Sequence, residues 1–131
     1  MALSLSELHA LLAEQEELTA TLEGDTLLLT NEEGVDAFLT VQGEQVLVES
    51  LLCKVADITD TAAFNDQILR THKTMFPLTT LGISAVGTEE FYVAFGALSA
   101  SSKPESVLVE VETLFLNIEG MLEFFAAFIR A

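Results

Sequence analysis

The stretch from Ser102 to Ala131 constrains the fold more than any other part of the chain. Its apolar residues recur at alternating steps of four and three, the spacing that lines up side chains along one stripe of an α-helix. Ser102 followed by Glu105 predicts a capping box, and Pro104 fits a first turn, where no backbone N–H is needed. The stripe comprises Val107, Val111, Leu114, Ile118, Met121, Phe125 and Phe128.

A second apolar row makes this helix apolar over a wide surface and comprises Leu108, Phe115, Leu122 and Ile129. We expect the second row to cover a sheet, which leaves part of the first row in need of another cover. The first helix, through its leucines, or a second copy of the chain can supply that cover. We favour a homodimer because the first helix is short. The predicted protein interface comprises Val107, Val111, Leu114, Met121 and Phe125.

The rest of the chain predicts alternating helices and strands in the order α-β-β-β-α-β-β-α. Ser4 and Glu7 form a capping box that starts a helix over residues 5–17, although acids at its end oppose the helix dipole. Thr59 or Asp60 caps a second helix that runs to about Lys73, and Pro77 prevents its continuation. Short alternating apolar runs separated by turn residues predict strands at residues 26–30, 37–42, 45–55, 81–86 and 91–96.

This order predicts one α+β domain over residues 1–131, with a five-stranded antiparallel sheet and helices largely on one face. Gly120 is the weak point of the long helix, since glycine costs about 1 kcal/mol against alanine there. The predicted core comprises Leu8, Leu12, Leu28, Phe38, Leu47, Phe64, Ile68, Ile83, Phe91, Val93, Val111, Phe115, Ile118 and Leu122.

The charge balance restricts the partners. The chain has 21 acidic and five basic residues and a formal net charge of −16. Such a surface repels the phosphates of nucleic acid. The acidity serves solubility, reflects a salt-rich habitat, or attracts a basic or apolar protein partner. Because no apolar run is long enough to span a membrane and no signal peptide is visible, we expect a cytoplasmic protein. Cys53, the single cysteine, is interpreted as a buried, inert thiol.

No constellation of residues indicates catalysis, a metal site or a cofactor. His9 and His72 lack further ligands at zinc spacing. Arg70, His72 and Lys73 are interpreted as cations that favour a helix C-terminus. We therefore expect a protein that is not an enzyme. An enzyme or small-ligand-binding protein that uses Tyr92, Thr79 and Thr80 near a sheet edge is the alternative, and an acidic mimic of nucleic acid is a weaker one.

The order of elements in an acidic chain resembles the class I chaperones of bacterial type III secretion, which are cytoplasmic dimers that hold an extended segment of a secreted protein. The stretches FNDQILRTHKTMFPLTTLGI and EVETLFLNIEGMLEFF are similar to the YjfI-like family of bacterial proteins. Members of that family tend to accompany PspA-like proteins, which implies a cell-envelope stress context. The resemblance supplies no catalytic residues. It implies a chaperone-like module that binds a secreted or PspA-like protein.

Overall fold

The computed structural model describes residues 2–76 and 78–129. The predictions for Pro77 and for the chain ends, Met1, Arg130 and Ala131, lie outside these residues. The helices and strands are α1 (Leu5–Ala13), β1 (Leu18–Glu23), β2 (Thr26–Asn31), β3 (Asp36–Gln42), β4 (Gln45–Lys54), α2 (Thr61–Met75), β5 (Thr80–Val86), β6 (Glu89–Ser99) and α3 (Pro104–Ala126). A 3₁₀ turn at Val55–Asp57 connects β4 to the segment before α2.

The sheet is antiparallel with strand order β1-β2-β3-β4-β6-β5. The predicted α+β class is confirmed, but the sheet has six strands and not five. The sequence prediction missed β1 because it continued the first helix to Glu17. Helix α1 ends at Ala13, ahead of three glutamates whose charges oppose the helix dipole. The alternation of leucine and threonine from Leu18 already has the period of a strand.

Two of the predicted helix caps are present. The backbone N–H of Glu7 donates to Ser4 Oγ over 3.2 Å, and Glu7 Oε1 accepts from the Ser4 N–H, also at 3.2 Å. Asp60 caps α2 by accepting from the backbone of Ala63. The capping box predicted at Ser102 is wrong, because the N-cap is Lys103 and makes no side-chain cap bond. Helix α3 continues unbroken through Gly120 to Ala126.

The long stripe of α3 packs against the sheet of its own chain. Its members Val107, Val111, Leu114, Ile118, Met121 and Phe125 are each exposed by no more than 1%. The predicted interface of Val107, Val111, Leu114, Met121 and Phe125 is therefore wrong, because these side chains form the core and are closed to a second chain. In the row expected to cover the sheet, Leu122 is 41% and Ile129 42% exposed. The first row therefore forms the covered face of α3, whereas the second row is covered only in part, since Phe115 is 9% exposed and Leu108 packs against the core.

In the strands, too, several of the side chains predicted to be buried lie on the face of the sheet that the helices do not cover. Leu8, Leu12, Phe64, Ile68, Phe115 and the α3 residues Val111 and Ile118 are buried as predicted. Of the other predicted core residues, Leu28, Phe38, Leu47 and Phe91 are only partly buried, and Ile83 is 48% exposed at the edge strand β5. The sheet side chains that are buried under the helices belong to the alternate positions, such as Leu29, Leu39 and Val48. Val93 is buried but lies outside that core cluster.

Candidate functional site

The face of the sheet turned away from the helices carries an apolar surface of its own. Helices α1, α2 and α3 contact the sheet from one side, and their buried residues form one cluster with the strand residues of that side. The opposite side is formed by the other alternate positions of the strands, and its apolar side chains do not belong to this cluster. We call this surface the outer face; it comprises the partly exposed Leu28, Phe38, Leu47, Glu49 and Phe95, the exposed Leu51, and Val93, which is itself buried.

Glu49 lies at the centre of the outer face. In the strand register it stands between Phe38 of β3 and Phe95 of β6. Leu47 and Leu51 flank it two residues away along β4, on the same side of the strand. Directly opposed and same-face neighbours in a sheet lie within side-chain contact. A carboxylate is thus framed on four sides by apolar side chains, and Leu51 is 41% exposed.

A second apolar surface lies where α2 passes the edge strand β5. We call it the α2–β5 groove; it is an open pocket of about 340 Å³ lined by Asn65, Ile68, Leu69, Leu81, Gly82, Ile83 and Tyr92. Leu69 is 83% exposed on α2, and Ile83 is 48% exposed on β5. The exposed side chains of Leu69 and Ile83 therefore border an apolar pocket.

The polar groups around the α2–β5 groove are bonded to one another. The Tyr92 hydroxyl donates to Asn65 Oδ1 over 2.5 Å, and burial, followed by the nearby Cys53, raises the pKa of Tyr92 so that the proton stays on the hydroxyl. The Leu81 N–H donates to His72 Nε2 over 2.9 Å. Asn117 Nδ2 donates to the buried Thr79 Oγ1 over 2.8 Å. These bonds join α2 and α3 to β5 and its neighbours.

The polar groups expected to converge near a sheet edge do not form one site. Tyr92 lines the α2–β5 groove, whereas Thr79 is 3% exposed and bonded to α3. His9 contacts the carbonyl of Ala20 through Nε2, at 3.2 Å. In residues 2–76 and 78–129, no three His, Cys, Asp or Glu side chains are close enough to hold a metal ion.

The three basic residues of α2, Arg70, His72 and Lys73, have separate surroundings and do not form one site. Arg70 Nε lies 2.8 Å from Asp66 Oδ2, one turn earlier, and Lys73 lies in the last turn, where a cation suits the helix dipole. His72 points away from them toward β5, where it accepts a hydrogen bond from Leu81. The described helices include none with the length and apolarity that a membrane span requires.

Solved structures of similar fold include a complex of a chaperone. The HopA1–SchA chaperone–effector complex matches with a TM-score of 0.62 at 15% identity, over 88% of this chain and 90% of that chain. The ExsC–ExsE complex matches with a TM-score of 0.54 at 16% identity, over 94% and 97%. YbjN from E. coli matches with a TM-score of 0.68 at 17% identity, over 100% and 98%. The fold implied by the resemblance to secretion chaperones is therefore confirmed.

Sequence comparison shows the family. Protein YjfI of Escherichia coli strain K12 is 40% identical over 79 residues, which are 60% of this chain and 59% of YjfI. YjfI of E. coli O157:H7 matches with the same figures. The matched segment thus spans less than two thirds of these relatives. Residues 2–129 match DUF2170, a family described as proteins conserved in bacteria. The chain belongs to this bacterial family, as its resemblance to YjfI-like proteins implied.

Proposed function

We propose that this protein is a chaperone-like module that binds a segment of a bacterial partner protein on the outer face and catalyses no reaction itself. The observation that carries the proposal is the outer face, where apolar side chains lie outside the core formed with the helices. Contiguous apolar surface of this kind marks protein interaction sites in soluble proteins. The similarity to a chaperone–effector complex supports the proposal at the level of the fold.

The partner in this proposal is a secreted protein or a PspA-like protein, met in the cytoplasm under envelope stress. The chain's net charge of −16 favours partners with basic segments, because opposite charge accelerates association. The choice of a PspA-like partner rests on what the resemblance to YjfI-like proteins implies.

The test is co-purification from bacterial cells with substitutions on two surfaces. Phe38→Thr and Leu47→Thr place polar, strand-compatible side chains on the outer face, whereas Leu116→Thr makes the same kind of change on α3, where Leu116 is 69% exposed. We expect the wild type and the Leu116 variant to retain the partner that mass spectrometry identifies, and both outer-face variants to lose it. Equal retention by all four proteins would contradict the proposal.

The α2–β5 groove is the surface that we assign to a homodimer in the same proposal. Leu69 projects beside the apolar pocket, and in a two-fold dimer the same patch meets its own copy, so each Leu69 can enter the partner's pocket. Leu69→Lys should make the protein monomeric by sedimentation. Leu116→Lys adds the same charge to another exposed leucine and should leave the association unchanged.

A small apolar ligand is the competing occupant of the α2–β5 groove. The open pocket of about 340 Å³ is within the size range of ligand pockets, and its polar lining groups Tyr92 and Asn65 are already bonded to each other. Extraction of the purified protein followed by mass spectrometry decides between the two. A stoichiometric small molecule, lost in Ile83→Lys, would favour the ligand.

A further inference from the structure

Glu49 defines what kind of segment the outer face accepts. Its carboxylate has Phe38 and Phe95 on the neighbouring strands and Leu47 and Leu51 on its own. The ion pairs found within the described chain join Lys54 to Glu89 and Arg70 to Asp66, and neither involves Glu49. Glu49 is partly buried by its neighbours, so a cover laid over this face would enclose a carboxylate that forms no ion pair with a basic residue among residues 2–76 and 78–129.

An apolar cover without a cation would leave that carboxylate unpaired. Burying an unpaired charge costs more than the apolar contacts around it return, whereas a charge that is paired and hydrogen-bonded is tolerated. A second copy of the chain is a poor cover as well. If two outer faces stacked, the two Glu49 carboxylates would lie close to the acids at the rim, Glu23 and Asp36. These like charges would repel one another, in a chain whose formal charge is already −16.

We infer that the outer face selects a partner segment in which one Lys or Arg is surrounded by apolar side chains, with the cation on Glu49. An amphipathic helix satisfies this pattern when the basic residue has leucines three and four positions away on both sides. The leucines then lie over the four apolar neighbours of Glu49. This inference rests on the proposed function and specifies the chemistry of the same site.

The test is a thermodynamic cycle with two synthetic peptides of about 15 residues. Both have a leucine face and a neutral face of Gln and Ala, and they differ at the centre of the leucine face, which is Lys in one and Gln in the other. Binding is measured by fluorescence anisotropy to the wild type and to Glu49→Gln. We expect wild type to prefer the Lys peptide about tenfold, as a charge-assisted hydrogen bond implies, and Glu49→Gln to lose that preference.

Two controls separate this pairing from general attraction. Glu119→Gln removes the same charge from an exposed position on α3 and should keep the tenfold preference. Methyl NMR of the wild type should show shifts at Leu28, Leu47 and Leu51 on addition of the Lys peptide, and none at Leu116. The methyl readout does not depend on whether a variant folds.

Several results would overturn the inference. In the binding measurements, these results are equal affinity of the wild type for both peptides, loss of the preference in both glutamate variants, or no binding of either peptide. In the NMR measurement, the contradicting result is a set of methyl shifts confined to α3 or to the α2–β5 groove. Self-association of the free protein through the leucines of the outer face would identify a second copy as the cover. If Glu49→Gln still captures the cellular partner and Phe38→Thr does not, the proposed function stands and the basic segment is excluded.

Discussion

At the scale of single residues, Glu110 illustrates an acid placed where its charge is unfavourable. It lies on α3 with its carboxylate against Gly96 of β6, where a Cβ on residue 96 would overlap it. Burial raises the pKa of Glu110 above its ordinary value. The ionised form is therefore less stable in the folded protein than in the unfolded chain.

Glu110→Gln should stabilise the protein at neutral pH. At a pH above the pKa of Glu110 in the folded protein, this residue is ionised in both the folded and the unfolded state, and the full cost of burying its charge is present. At a pH below its pKa in the unfolded chain, about 4.5, Glu110 is protonated in both states and this cost is absent. The gain should be about 0.5 kcal/mol, because Glu110 remains partly exposed and solvent screens it. Urea unfolding from neutral pH down to the unfolded pKa measures it. A gain that grows on acidification would contradict the assignment, and Glu119→Gln is the exposed control.

Cys53 supplies a second prediction at this scale. Burial, followed by the charge of Asp57, raises the pKa of its thiol to about 11. Since the thiolate is the reactive form, iodoacetamide should modify Cys53 roughly 100-fold more slowly than free cysteine at about pH 8. Mass spectrometry follows the reaction, and the rate should rise with each added unit of pH. A rate like that of free cysteine would contradict the interpretation of an inert thiol.

At the scale of the elements, α3 separates its two apolar rows. The row that ends at Phe125 packs beneath the sheet, where Phe125 meets Phe64 edge-on with ring centroids 4.6 Å apart. The other row keeps Leu122 41% exposed. Both rows are apolar and helical in period, so their difference arises from what covers them.

Phe125→Ala and Leu122→Ala test this difference. Removing Phe125 leaves a cavity among packed rings, so the free energy of unfolding should fall by about 3–5 kcal/mol. Leu122→Ala should cost about 1 kcal/mol or less, because the side chain is already partly in water. Chemical denaturation of the two variants gives both values. Similar losses would mean that the two rows are buried alike.

At the scale of the whole molecule, charge opposes assembly while apolar surface favours it. A net charge of −16 repels a second copy, and salt screens that repulsion over a Debye length of about 8 Å at physiological ionic strength. Apolar burial at the α2–β5 groove is not screened. Salt should therefore strengthen a homodimer held there.

Sedimentation equilibrium at about 0.05 M and about 0.5 M salt tests this expectation. The dimer should be tighter at the higher salt for the wild type and for Leu116→Lys, and it should be absent in Leu69→Lys. A wild-type protein that stays monomeric at tens of micromolar in both salts would remove the homodimer and leave the groove open to a ligand.

Local signals in the sequence determined the helices, two of the caps, most of the strands and the antiparallel order, because these depend on neighbours in the chain. Even β1 had its alternation in the sequence. The faces were decided by tertiary structure alone. Phe38 and Leu39 are neighbours in β3 and both are apolar, and the two rows of α3 are likewise both apolar. The periodicity of a strand or helix shows which residues share a face, but it does not show which face the rest of the chain covers. In the folded chain Leu39 and Phe125 are buried in the core, because the helices pack on that side of the sheet. Phe38 lies on the other side, beside Glu49 in the candidate site.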